Sequence, residues 1–181
     1  MMYQDLAMRT CSPTNKDTIQ AVLGLISECG EFATQIKNHR AQGHDLDTSN
    51  LIEEIGDELW YFAMYCETSG RSLSNYITDP KVHFDQELAL EGLILGWALT
   101  IGGLAKEELV GYKDALADVR TMECIMGLVT ILGHICYMLG TDLESVMEKN
   151  INKLRVRYPE KFEPEQSLNR DTEAEQEVLK S

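Results

Sequence analysis

The 181-residue sequence has little that would indicate β-sheets or disulfide bonds. It has only four prolines, and aromatic residues make up 7% of the chain. Runs that alternate Val or Thr with polar residues, as strands do, are rare, so helices are favoured. The cysteines are odd in number and form no CxxC pair, which predicts reduced, mostly buried thiols in a cytosolic protein. The five are Cys11, Cys29, Cys66, Cys124 and Cys136.

Basic residues are also scarce. Sixteen Lys and Arg stand against 30 Asp and Glu, which gives a formal net charge of −14. Such a surface repels nucleic-acid backbones and anionic membranes, so we expect neither as a partner. No secretory signal is visible, and the most apolar run, residues 92–105, is too short and too glycine-rich to span a bilayer. We therefore expect a cytoplasmic protein, in which an anionic ligand would need a metal ion or a local basic cluster.

Apolar residues recur at helical spacing through most of the chain, which predicts an all-α fold. The expected segments are a short helix within 1–12, helices over about 17–40, 50–69, 85–109, 113–139 and 141–158, and a disordered tail over 163–181. Disorder is expected for the tail because it holds six acids, two bases and few apolar residues. The second long helix is expected to begin at the capping-box pair Asn50 and Glu53, and a break is expected at Pro80.

Two pairs of acids are embedded in otherwise apolar helices. Glu28 and Glu31 lie three residues apart in GLISECGEF, as Glu54 and Asp57 do in LIEEIGDELWYF. This spacing puts each pair on one helical face, where desolvated carboxylates repel each other unless they share a cation. One such pair alone is more often a solvated helix face. Two pairs on adjacent antiparallel helices favour a shared Mg²⁺ site with oxygen ligands.

Together with LESVMEKNINKLRVRYPEKF, these two stretches resemble the MazG-type nucleotide pyrophosphohydrolases of the all-α NTP pyrophosphatase superfamily. The likeness covers about residues 3–73 and 138–162, and YQDLAMRT with Ile36-Lys37 fits a phage-like branch. It implies a MazG-like helical bundle. It also implies Mg²⁺-dependent cleavage, with Mn²⁺ as an alternative ion, of a nucleoside or deoxynucleoside triphosphate to the monophosphate and pyrophosphate, in housecleaning of nucleotide pools.

The resemblance also implies roles for individual residues. The metal-binding and catalytic acids map onto Glu28, Glu31, Glu54 and Asp57, with Glu53 as a candidate helper base. Candidate substrate contacts are Lys37, Tyr61, Lys149, Asn150, Lys153 and Arg157. Three of these cations recur every four residues and form one helix stripe, which could meet the β- and γ-phosphates. A surface helix can also carry such a stripe by chance.

Residues 74–137 depart from the family pattern, because they separate the acidic helices from the basic one. Residues 91–105 align with 23–37, and residues 136–143 align with 66–73. This part of the chain is therefore interpreted as a second, degenerate repeat. In that register the four acids are replaced by Gly96, Leu99, Cys124 and Gly127.

The predicted domains are thus a MazG-like repeat with the acids at 1–79, and a degenerate repeat at 80–162 that ends in the basic helix. An unrelated helical insertion is the alternative. Because the resembled family works as intertwined oligomers, fused repeats predict a single-chain pseudodimer with one working site. Such a chain is expected to form a homo-oligomer, as a dimer of pseudodimers.

Three alternatives fit the sequence less well. A dUTPase-like specificity within the same superfamily would need further acids that cannot be placed. A catalytically idle nucleotide- or partner-binding bundle is suggested by the loss of acids from half of the chain, but the intact first quartet argues against it. A di-iron bundle is disfavoured because neither acidic pair is an ExxH motif.

Overall fold

The computed structural model describes residues 2–77, 89–110 and 116–180. All regular secondary structure in these ranges is helical, which confirms the all-α prediction. The α-helices are α1 (Tyr3–Met8), α2 (Thr18–Gln42), α3 (Thr48–Thr68), α4 (Leu90–Val110), α5 (Ala117–Met138), α6 (Leu143–Arg157), α7 (Pro164–Leu168) and α8 (Thr172–Lys180). A short 3₁₀-helix, Leu73–Asn75, follows α3. The expected break at Pro80 and the expected helix starts at 85 and 113 lie outside the described residues.

The pair formed by α2 and α3 supplies much of the core. Only residues 43–47 join these two long helices, so they pack along each other as an antiparallel pair. Apolar side chains at helical spacing are completely buried in this contact, among them Leu25, Phe32, Ile55 and Phe62. Burying each such side chain stabilises the fold by roughly 1.5–3 kcal/mol. This packing places the faces that carry the acids side by side.

Aspartate side chains determine where both helices begin. The Asp17 carboxylate accepts a hydrogen bond of 2.7 Å from a backbone N–H three residues on. The Asp47 carboxylate accepts one of 3.1 Å from the Asn50 N–H in the same way. These bonds satisfy N–H groups that have no partner within the helix. The predicted capping box at Asn50 and Glu53 is therefore wrong, because Asn50 already lies inside α3.

Helices α4 and α5 pack against each other as a second pair, and α4 also packs on α2. Gly96 lies against a side chain of α5, and Gly127 lies against Thr100 of α4, so two of the positions aligned with the acids lie where these helices touch. Leu99, in contrast, is 77% exposed. The origin of this pair as a degenerate repeat, and the domain boundaries that follow from it, stay predictions.

The C-terminal segment is not the disordered tail that was expected. It contains α7 and α8, and α8 packs on α6 and α3. Glu175 and Leu179 of α8 are buried, with 1% and 6% of their surface exposed. Composition was misleading here because one of the acids is paired and buried.

The cysteines and the apolar helices can be compared with the expectations from composition. All five cysteines are free thiols, and Cys124 alone among them is only partly buried, as predicted. Of the described helices, α5 alone is long and apolar enough to cross a membrane, and 44% of that apolar window is buried inside the fold. A core helix of a soluble protein passes the same test, so this is weak support for a membrane span.

Candidate metal centre and its cavity

Three carboxylates from two helices meet where α2 crosses α3. One side-chain oxygen from each of Glu28, Glu31 and Glu54 lies within 4.8 Å of the other two. Glu28 and Glu31 share a face of α2 because they are three residues apart, and the packing with α3 brings Glu54 beside them. The structure thus brings together three of the four acids predicted as metal ligands.

The electrostatics of this cluster are unfavourable without a cation. Burial, and then the charges of Asp57, Glu31 and Glu54, raise the pKa of Glu28 to about 8. Burial, and then the charges of Glu31, Asp57 and Glu53, raise the pKa of Glu54 to about 7. Carboxylates that resist ionisation because of one another are stabilised as anions when a divalent cation binds among them. The donor set, which consists of oxygen atoms, fits a hard ion such as Mg²⁺.

The fourth acid, Asp57, is held by a lysine. The Lys153 ammonium lies 2.6 Å from both Asp57 carboxylate oxygens and 3.2 Å from Glu53 Oε1. The Lys153 side chain is completely buried. Burial alone would lower the pKa of Lys153, but the charges of Asp57 and Glu53 outweigh it and raise this pKa. Lys153 therefore acts as a fixed positive charge behind two of the acids.

Asn150 completes the contact between α6 and α3. Its amide nitrogen donates a 2.9 Å hydrogen bond to Asp57, and its amide oxygen accepts one of 2.8 Å from the Tyr3 hydroxyl. A Cβ atom at Gly56 would lie 3.1 Å from the Asn150 side chain, so the absence of a side chain at Gly56 allows this close approach. Asn150 is 1% exposed. In the structure it orients an acid and does not line the cavity.

The acids open onto a cavity of about 530 Å³. The predicted acids that line it are Glu28, Glu31, Glu53, Glu54 and Asp57. Trp60, Tyr61 and Phe162 provide aromatic surface in the same cavity. The Tyr61 ring lies directly on Gly24, where a Cβ atom would come within 2.1 Å of it. Trp60 is fixed, because its indole N–H donates to Ala7 O at 3.1 Å and to Thr10 Oγ1 at 2.9 Å.

The predicted phosphate-binding cations are scattered. Arg157 lines the cavity. Lys153 is buried behind Asp57, as described above. Lys149 donates a 2.9 Å hydrogen bond to the Leu179 carbonyl at the end of α8. Lys37 is exposed and does not line the cavity.

Two features of the site were missed from the sequence. Glu58 is completely buried, and its Oε1 accepts a 2.6 Å hydrogen bond from Trp97 of α4. Burial raises the pKa of Glu58 well above its usual range. The sequence could have indicated its burial, because Glu58 lies on the apolar face of α3, between Ile55 and Phe62. The other feature is Arg170, which lines the cavity from the segment that was expected to be disordered.

Comparison with known families agrees with this geometry. Residues 17–79 match the family model of the MazG nucleotide pyrophosphohydrolase domain. This segment is a MazG domain. It comprises α2, α3 and the 3₁₀-helix, and so includes all four predicted metal-binding acids. Comparisons with curated proteins and with solved structures give no significant match.

The MazG domain accounts for about a third of the chain. The match ends before α4, so the family resemblance of the basic helix α6 stays a prediction. The assignment to a phage-like branch has no support from the match. The matched domain suggests a hydrolase that acts on nucleotide pyrophosphate bonds, and members of the MazG family typically depend on a metal ion.

Proposed function

We propose that the protein is a nucleoside triphosphate pyrophosphohydrolase that converts a nucleoside or deoxynucleoside triphosphate and water to the monophosphate and pyrophosphate. The observation that carries this proposal is the cluster of Glu28, Glu31 and Glu54, which lies within the MazG domain and opens onto a cavity. A cytoplasmic role in clearing nucleotide pools fits the reduced thiols.

In this proposal, Glu28, Glu31 and Glu54 hold a divalent cation, Mg²⁺ or alternatively Mn²⁺, and Asp57 completes the ligand set from the same wall of the cavity. Such an ion, when bound, would supply charge neutralisation at the phosphates and would acidify a water molecule. Lys153 fixes the orientation of Asp57. Glu53 lines the cavity as the candidate helper base, and its Oε1 accepts a hydrogen bond from Lys153.

The substrate is proposed to lie along the cavity with its base near Tyr61 and its phosphates toward Arg157. Tyr61 and Trp60 form an edge-to-face pair with ring centroids 4.9 Å apart, which gives a rigid aromatic wall. Arg157 provides a guanidinium that can form paired hydrogen bonds with phosphate oxygens. Lys37 and Lys149 stay predictions from the resemblance, because neither lines the cavity.

The test is a panel of nucleoside and deoxynucleoside triphosphates incubated with Mg²⁺ and assayed separately for pyrophosphate and orthophosphate. We expect pyrophosphate and the monophosphate as products, and no turnover in EDTA. The variants Glu54→Gln and Asp57→Asn should abolish turnover without unfolding the chain, whereas Glu148→Gln, at an exposed position of α6, should have no effect. Orthophosphate as the first product, or full activity in EDTA, would refute the proposal.

We also propose that the protein is a homo-oligomer, a dimer of pseudodimers. Large apolar side chains on α4 and α5 are exposed in the single chain. Among them are Leu95, Leu99, Met122, Met126 and Tyr137, which are between 48% and 77% exposed. Apolar surface of this kind marks interaction sites, and most soluble oligomers are made of identical chains. Light scattering during size exclusion should give twice the 20.4 kDa chain mass, and a monomer would contradict the proposal.

A further inference from the structure

The cavity has an excess of negative charge that a triphosphate must overcome. Five carboxylates line it, and of the described residues that line it only Arg157 and Arg170 carry a positive charge. A divalent ion at the carboxylates can neutralise part of the polyphosphate. The remaining phosphate charge requires positively charged groups elsewhere in the cavity.

These two arginines are joined by one carboxylate from α8. Glu175 accepts hydrogen bonds from Arg157 Nε at 2.9 Å and from Arg157 Nη2 at 2.5 Å. It also accepts one of 2.7 Å from Arg170 Nη2. The Glu175 side chain is only 2% exposed, whereas the Arg157 and Arg170 side chains are 15% and 42% exposed. The carboxylate therefore lies beneath the two guanidinium groups.

We propose that Arg170 is a second phosphate-binding residue beside Arg157, and that Glu175 of the C-terminal helix is the positioning residue that holds both. This inference rests on the proposed function. It makes the segment after α6, which lies outside the matched MazG domain, part of the substrate site.

The position of Glu175 shows whether it orients the two arginines or occupies the place of a phosphate. A carboxylate that imitated a bound phosphate would stand in the cavity, but Glu175 is not among the described residues that line it, whereas both arginines are. Its hydrogen bonds with Arg157 use Nε and one terminal nitrogen, which is the paired geometry that fixes a guanidinium in one plane. Burial alone would raise the pKa of Glu175, but the hydrogen bonds and charges of Arg157 and Arg170 outweigh it and lower this pKa to about 2, so the carboxylate stays charged beside both arginines.

The chain offers a matched control for the group formed by Arg157, Arg170 and Glu175. Arg155 lies on the same helix as Arg157, is exposed, and donates a 3.1 Å hydrogen bond to Asn152. It does not line the cavity. Arg155→Gln thus removes one positive charge from α6 without changing a contact of Arg157, Arg170 or Glu175.

The experiment is calorimetric titration of the full chain, with Mg²⁺ present, with an α,β-imido nucleoside triphosphate and with the corresponding monophosphate. Losing one charge-assisted hydrogen bond to phosphate should weaken binding of the triphosphate analogue by about 10- to 100-fold in Arg170→Gln. Glu175→Gln should also weaken binding of the triphosphate analogue. Binding of the monophosphate should change much less in both variants, a selectivity that a general loss of structure would not produce. Circular dichroism of each variant should match the wild type.

Equal triphosphate affinities for Arg170→Gln and Arg155→Gln would overturn the role of Arg170. Tighter binding by Glu175→Gln would overturn the positioning role, since it would show that Glu175 opposes the phosphates. If the wild-type chain neither binds the analogue nor hydrolyses any triphosphate, the proposed function fails, and this inference fails with it. If wild-type binding and hydrolysis are normal while Arg170→Gln has no effect, only this inference fails.

Discussion

The repulsion among the clustered acids predicts that removing one of their charges stabilises the protein without metal. The change is Glu54→Gln. A glutamine keeps the size of the side chain and the oxygen that accepts 3.3 Å hydrogen bonds from Asn50 and Gln35. It lacks the charge that burial and neighbouring acids disfavour. The variant therefore isolates the electrostatic cost of the Glu28, Glu31 and Glu54 cluster in the absence of a cation.

The magnitude follows from the pKa of Glu54. In the unfolded chain this group ionises near pH 4.5, and in the folded chain near pH 7. The folded state thus holds an extra proton between these values, so the free energy of unfolding falls as the pH rises from about 4.5 to about 7. At 1.36 kcal/mol per pH unit the ceiling on this loss is roughly 3 kcal/mol. Solvent screening in the open cavity reduces the expected gain in Glu54→Gln to about 1–2 kcal/mol at pH 8.5.

The assay is urea denaturation in EDTA at pH 5 and pH 8.5, followed by far-UV circular dichroism. Glu54→Gln should exceed the wild type in free energy of unfolding at pH 8.5, and most of that advantage should disappear at pH 5. Adding Mg²⁺ at pH 8.5 should stabilise the wild type more than the variant. The exposed Glu148→Gln serves as the control and should change neither value. A variant that is no more stable than the wild type at pH 8.5 in EDTA would refute the argument from repulsion.

Two further predictions concern a close helix contact and a buried ion pair. Gly24→Ala should destabilise the fold by about 1–3 kcal/mol because the new methyl group would collide with the Tyr61 ring. Gly30→Ala, with no atom near the added carbon, should be neutral or stabilise the fold by up to about 1 kcal/mol. Thermal denaturation of the two variants checks this, and equal melting temperatures would contradict it. Lys153→Met should lower the free energy of unfolding by about 2–4 kcal/mol because it leaves two partly buried carboxylates without their cation, while Lys37→Met should have little effect. Urea denaturation at pH 7.5 measures that difference, and equal stability of the two lysine variants would show that the buried ammonium contributes nothing net.

Helical type and the acidic faces were predictable from the sequence because both depend on local spacing. Apolar residues such as Leu25 and Phe32 recur with the period of a helix, and that period alone determines which face is buried. The same period places Glu28 and Glu31 together. The loop between α2 and α3 is short, which makes these helices antiparallel neighbours, so the second acidic pair was expected close to the first. Boundaries were less accurate, because Asp47 rather than Asn50 caps α3.

The contacts that complete the site could not be read from local spacing. Lys153 neutralises Asp57 from 96 residues away, and its position depends on how α6 crosses α3. Glu58 was not predicted because its partner, Trp97, belongs to another helix. Each of these pairs exists only when distant parts of the chain pack together.

The C-terminal segment shows most clearly the difference between what local sequence determines and what tertiary packing determines. Its composition predicts disorder, because acids are normally better solvated by water than buried. Glu175 is nevertheless buried, since it meets one guanidinium from the end of α6 and another from Arg170. A count of charges cannot show this, because the cost of burying a carboxylate depends on which opposite charges the tertiary structure places within hydrogen-bonding distance.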